Sequence, residues 1–167
     1  MALAEDLLEQ AQHLVVLDPR RPKQASLRRS ISTAYYALFH LLTAESVRRL
    51  APASPAGLAS RIARSLSHTE MREVCAAVMK SNLPQPLQEL QPSGFSPELQ
   101  QIASAFVQLQ AERHRADYDL SATFTRADAT HFIEQGTIAF HHWSQVRNRD
   151  EATVFLAALM FAKRWSK

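Results

Sequence analysis

The sequence predicts an all-α protein, and three observations carry that expectation. The chain of 167 residues holds only three glycines, Gly57, Gly94 and Gly136. A β-rich fold of this size needs more tight turns than that, and glycine is what usually supplies them. Ala, Leu, Gln, Glu and Arg, all good helix formers, dominate the composition instead. Apolar residues also recur at helical spacing through most of the chain. About five to six helices are expected, arranged as an up-and-down bundle.

The first helix is expected over residues 3–17, where Leu3, Leu7, Leu8, Ala11, Leu14 and Val15 form one apolar face. Asp18-Pro19 ends it, because proline disfavours helix in the residue before it. A basic connector, residues 20–23, follows. The second helix is expected over 26–50, a stretch without Gly or Pro, with an apolar stripe of Ala34, Leu38, Leu41 and Leu42. Residues 56–81 read as one helix, or as two broken near Ser67-His68.

Pro84, Pro86, Pro92, Gly94 and Pro97 then mark a long Pro-rich loop, residues 82–96. Ser96 can cap the next helix with Pro97 in its first turn, and that helix is expected to run toward Arg113. A break is expected over 117–125. Thr125 with Asp128 is close to a capping box for a helix reaching about Val146. Asn148 with Glu151 is a second capping-box candidate, opening a short and very apolar last helix. Residues 1–147 are expected to form the bundle. Residues 148–167 are expected to be a terminal helix packed on it or on a second copy.

Several function classes are unfavourable. Cys75 is the single cysteine, so no internal disulfide and no multi-thiolate zinc site can form. His141 and His142 are adjacent and point in different directions on a helix, so no metal site is expected. No cofactor-binding motif and no glycine-rich phosphate loop occurs. The longest apolar run, 154–162, is about half of what spans a bilayer, and Glu5, Asp6 and Glu9 interrupt any leader-like pattern. The expectation is a cytoplasmic protein without a membrane partner. The net charge of +3 permits a nucleic-acid partner without requiring one.

Two segments carry chemistry. On a helix, Arg29, Thr33, Tyr36 and His40 line one face, a stripe of a cation, two hydroxyls and an imidazole that suits a phosphate or an RNA sugar. An ordinary half-buried helix shows such stripes too. The second segment is Arg113-His114-Arg115-Ala116-Asp117-Tyr118-Asp119, in which Arg113 and Asp117 can pair four residues apart. On its own it also reads as a charge cluster at a helix end.

In combination, Arg28 ahead of Ala34-Tyr35-Tyr36-Ala37-Leu38-Phe39-His40, then Arg113 to Leu120, then Phe124-Thr125-Arg126-Ala127-Asp128-Ala129, resemble the HEPN superfamily of small bacterial proteins. The resemblance covers residues 3–143 and leaves the insert 52–94 and the tail after Arg147 unexplained. It implies a bundle in which the second helix lies beside the Arg-bearing helix, and a homodimer with two sites across a cleft. Many members are metal-independent endoribonucleases of toxin–antitoxin or defence modules, sometimes beside a nucleotidyltransferase as cognate partner. Their signature is an Arg, a polar neighbour, and a His four to six residues after the Arg.

By that correspondence Arg113 would hold a phosphate, with His114 as its polar neighbour. The expected His falls at Tyr118, whose ordinary pKa near 10 makes it a poor base at neutral pH. The catalytic candidates are therefore Arg113, Tyr118 and, if the two helices face each other, His40 as the imidazole. Arg29, Tyr36, His114, Arg115 and Asp117 are the candidates for binding RNA or phosphate. The reading is a HEPN-like module that binds RNA, a nucleotide or a partner protein. The alternatives are an endoribonuclease with a non-standard base and a purely structural helical protein.

Overall fold

The helices begin and end where local chemistry allows. In the computed structural model, which describes residues 2–80 and 82–165 apart from the side chain of Ala56, the described residues form eight helices and no strand. These are α1 (Ala2–Val16), α2 (Gln24–Leu50), α3 (Ala56–Ser65), α4 (His68–Val78), α5 (Gln85–Leu90), α6 (Pro97–Tyr118), α7 (Arg126–Val146) and α8 (Asp150–Trp165).

Eight exceeds the expected five to six for two reasons. Residues 56–78 split in two, because Leu66 turns extended and the Ser67 hydroxyl accepts from the Glu70 N–H to start α4. The expected end of that stretch, Ser81, lies outside the described residues. The Pro-rich segment expected as a loop also holds α5. Pro84 flanks its start and Pro86 lies in its first turn, where no backbone N–H is required. Gly94 closes the segment at φ +75, a left-handed conformation that glycine adopts without strain.

The chain divides into two compact units. One takes the chain up to Leu41 together with residues 105–141, and the other takes residues 42–104 and the chain from His142 on. The first unit contains α1, the first part of α2, the last part of α6 and the first part of α7. Ala4, Leu8, Ala11 and Val15 give α1 its buried stripe. Within this unit α2 is buried well beyond the expected stripe: Leu27, Ser30, Ile31, Ser32, Thr33, Tyr35 and Ala37 are buried along with Ala34, Leu38 and Leu41. A helix buried on most of its circumference is a central one.

The order of its contacts makes α6 antiparallel to α2. Arg28 meets Ala116 and Asp119, while Tyr35 meets Phe106 at 5.5 Å between ring centroids. Helix α7 runs antiparallel to α1 in the same way. Leu8 lies against Gly136, and Arg126 donates to the carbonyls of Asp18 (2.6 Å) and Pro19 (3.1 Å). At Gly136 the four helices come together, with Leu8, Leu109 and Ala34 all within about 4 Å of where a Cβ would stand.

In the second unit α4 and α5 pack on α8. The buried face of α4 is Met71, Val74, Cys75 and Val78, and that of α8 is Ala152, Phe155, Leu156, Ala158 and Leu159. The Cys75 thiol is buried and its pKa is pushed up by desolvation, so it is an inert part of this core.

Asn148 does not cap α8. The Glu151 carboxylate reaches instead across the unit to the N–H of Ser96 (2.8 Å), at the start of α6, and to Arg149 (3.3 Å). The caps expected at Ser96 and Thr125 do form. The Leu99 N–H donates to Ser96 Oγ at 3.4 Å. Thr125 and Asp128 exchange hydrogen bonds of 2.7 Å from Thr125 N and 3.1 Å from Asp128 N. That cap holds the Asp128 carboxyl below its ordinary pKa.

Candidate functional site

The site candidates gather on the seam between α2 and α6, and what places them there is the end of α6. The sequence pattern opens a break at residue 117; in the structure the helix continues to Tyr118. The last carbonyls of a helix have no partner within it, and here Arg28 supplies one. Its guanidinium donates to the carbonyls of Ala116 and Asp119, at 2.9 Å each, and to that of Ala122. A cation at this end also complements the helix dipole. Arg113 and Asp117 therefore sit within a helix rather than at the mouth of a loop.

The turn that follows is tied to α2 as well. The Gln24 amide donates to the Phe124 carbonyl (2.7 Å) and accepts from the Phe124 N–H (2.9 Å). The guanidinium carbons of Arg28 and Arg115 lie 5.7 and 5.3 Å from the Phe124 ring centroid. Asp119 accepts from the N–H and hydroxyl of Ser121 (2.9 and 2.6 Å), which lowers its carboxyl pKa.

At the centre of the seam Arg113 occupies an aromatic corner. Its guanidinium carbon is 5.2 Å from the Tyr35 ring centroid and 5.5 Å from that of Tyr36, two rings that meet at 62°. Contacts of this kind contribute about 0.5–2 kcal/mol, more as the cation is desolvated. The Arg113 side chain is 13% exposed, and its Nε lies 3.8 Å from Asp117 Oδ2. The Ser32 hydroxyl donates to the other Asp117 oxygen. Arg113 Nε is nonetheless buried without a hydrogen bond, because 3.8 Å is an ion-pair distance and not a hydrogen-bond one.

The remaining candidates separate around this cluster. Tyr36 joins it. His40, one turn further along α2, is half-buried and meets the Phe39 ring edge-on at 5.6 Å. Burial lowers its pKa from the ordinary 6.5, which favours the neutral imidazole. The partners of Arg113 are Tyr35, Tyr36 and Asp117, and His40 is not among them. Thr33, inside the expected polar stripe, is buried, whereas Arg29 is exposed.

At the end of α6 the rings of His114 and Tyr118 meet at a tilt of 51°, their centroids 5.0 Å apart. Both residues are exposed, Tyr118 by 65%. Arg115 is exposed too, and it pairs with Glu112 at 2.8 Å.

Three residues of this assembly are not among the site candidates of the sequence, Arg28, Ser32 and Tyr35, although Arg28 and Tyr35 belong to the motif that carries the resemblance. They sit one position before Arg29, Thr33 and Tyr36, on the next stripe around α2. Their signal was the recurrence of chemistry at 28, 32 and 35, parallel to the stripe at 29, 33 and 36. Among the described residues no group of three His, Cys, Asp or Glu could hold a metal ion, and no helix is long and apolar enough to cross a membrane. Set against family models, curated proteins and solved structures, the chain has no significant match.

Proposed function

We propose that this chain is a HEPN-like helical module that binds RNA along the α2–α6 seam without cleaving it. The observation that carries the proposal is the exposed His114–Tyr118 ring pair, one turn beyond an arginine already fixed by Tyr35, Tyr36 and Asp117. Exposed aromatic faces such as those of Tyr118 and His114 can each take an unpaired base, and exposed arginines such as Arg29 and Arg115 suit its phosphates. Cleavage needs a proton-transfer group within hydrogen-bond reach of the held phosphate. Tyr118 stands where the family signature has His, and the contacts of Arg113 do not include His40. The HEPN-like bundle itself, the homodimer and a cognate nucleotidyltransferase of a toxin–antitoxin module belong to the same proposal, and rest on the resemblance alone.

One observation favours a purely structural reading: Arg113 is largely buried and serves to tie α6 to α2. The two readings part in a single experiment. Single-stranded RNA is titrated into wild type, Arg113→Ala and Tyr118→Ala, with chelator present, and the RNA is then analysed for cleavage. Binding without cleavage, weakened at least fivefold in Tyr118→Ala by loss of about 1–3 kcal/mol of stacking, supports the proposal. Absence of binding by a folded protein leaves the structural reading. Cleavage to a cyclic phosphate that Arg113→Ala abolishes makes the protein a ribonuclease.

A further inference from the structure

We propose that the connector between α1 and α2 is a second phosphate-contact surface, at which Arg20 and Arg21 take the backbone of a single-stranded RNA; the inference rests on the seam reading above. The connector is short, and prolines at both ends, Pro19 and Pro22, restrict its backbone. It is also anchored from outside. Arg126, at the start of α7, donates to the carbonyls of Asp18 and Pro19.

The charge balance of this end of the unit points outward as cation. Asp18, the one carboxylate of the connector, is occupied by the Ser26 hydroxyl (2.7 Å) and by Lys23 (3.4 Å). Two further carboxylates, Asp119 and Asp128, belong to segments tied to the same end. Both are exposed and accept hydrogen bonds within their own turns, from Ser121 and from Thr125, so the four cations Arg20, Arg21, Lys23 and Arg126 outnumber the three carboxylates of this end. Arg126 is committed to backbone carbonyls. Arg20 and Arg21 are exposed and make no ion pair among the described residues.

The connector leads directly into α2, whose Gln24 holds the Phe124 segment and whose Ser32 holds Asp117. Exposed Arg29 lies between these two ties in sequence. A strand whose base stacks at Tyr118 of α6 would thus find unpaired arginines on α2, at Arg29, and on the connector ahead of α2, at Arg20 and Arg21. Their planar forks match phosphate oxygens in pairs.

The test is the salt dependence of binding of a fluorescent single-stranded oligoribonucleotide to the full chain. Each phosphate contact on a single strand contributes about 0.7 to the slope of log affinity against log salt concentration. Arg20→Gln/Arg21→Gln is expected to lower the slope by about 1.4. Arg20→Lys/Arg21→Lys should keep it, and Tyr118→Ala should weaken binding at an unchanged slope.

If wild type binds and the glutamine variant keeps the full slope, the connector makes no phosphate contact and only this inference fails. If wild type binds no RNA at any salt, the seam reading fails with it. That holds equally if the glutamine variant then loses affinity for anionic phosphatidylserine vesicles, since the surface would be a membrane one. Both substituted side chains are exposed, and an unchanged circular dichroism spectrum excludes misfolding as the cause of a lost slope.

Discussion

Each unit of the molecule brings arginine and carboxylate together, and it does so in opposite ways. In the second unit a carboxylate is the buried partner. Glu45 is 1% exposed and is held by Arg48 through both oxygens (2.7 and 3.2 Å) and by Arg147 at 3.6 Å. In the first unit the cation is the buried partner. Arg113 rests on two aromatic rings, its carboxylate stands off at 3.8 Å, and its Nε lacks a hydrogen bond. The Glu45 cluster is a finished structural ion network with every oxygen engaged. The Arg113 cluster holds a charge in place on two rings and leaves one buried donor, Nε, without a hydrogen bond.

The largest effect that would break this comparison is in the second unit. Arg48→Ala/Arg147→Ala strands the buried Glu45 carboxylate and should cost about 3–5 kcal/mol in urea denaturation. A loss under 1 kcal/mol would mean that Glu45 reaches water and is no finished network. Arg113→Ala should cost less, about 1–2 kcal/mol, since it forfeits two ring contacts and a loose pair on a side chain with some access to water. A loss as large as the first would make Arg113 the keystone of the unit and favour the structural reading.

Gly136→Ala sharpens the first region from the stabilising side. The added methyl would stand 3.5 Å from the nearest Leu8 carbon, ordinary contact, in the interior of α7. Relief of glycine's helix cost should raise stability by about 0.5–1 kcal/mol, read as a higher Tm, and leave RNA binding unchanged.

The smallest effect is a pH dependence through His40. Its folded pKa is lowered by burial, so below pH 6.5 the unfolded chain binds the proton first. Its contribution is intact above 6.5 and is lost as pH falls from there toward the folded pKa. A His40→Gln variant should show a flatter stability profile over that interval. An identical profile would mean that the imidazole is as hydrated as in the unfolded chain.

What was legible in the sequence was legible for local reasons. The all-α class follows from composition and from apolar periodicity. The Ser96 and Thr125 caps follow from residues only three apart. The Arg113–Asp117 pairing follows from one turn of helix. The errors share the opposite cause. The spacing of Asn148 and Glu151 predicts a capping box, but Glu151 bonds the backbone of Ser96, 55 residues away. The break expected over 117–125 opens two residues later, after Tyr118, where Arg28, 88 residues away from Ala116, takes the carbonyl of Ala116. Pro84 and Pro86 read as loop because proline breaks helices, although at a first turn it begins them.

By itself the sequence determined the helical class, most helix starts, and two segments in which Arg, His and Tyr are concentrated. Period, composition and capping act within a few residues and can be read along the chain. Only the tertiary structure decided that Arg113 would sit in the corner of Tyr35 and Tyr36, that Ser32 would engage Asp117, and that His40 would face Phe39 instead of the arginine. The contacts of Arg113 and Asp117 with α2 depend on how α6 is set in rotation and register against it. Burial of Ile31, Ala34, Tyr35, Leu38, Phe106 and Leu109 determines that setting jointly, and no single segment carries it.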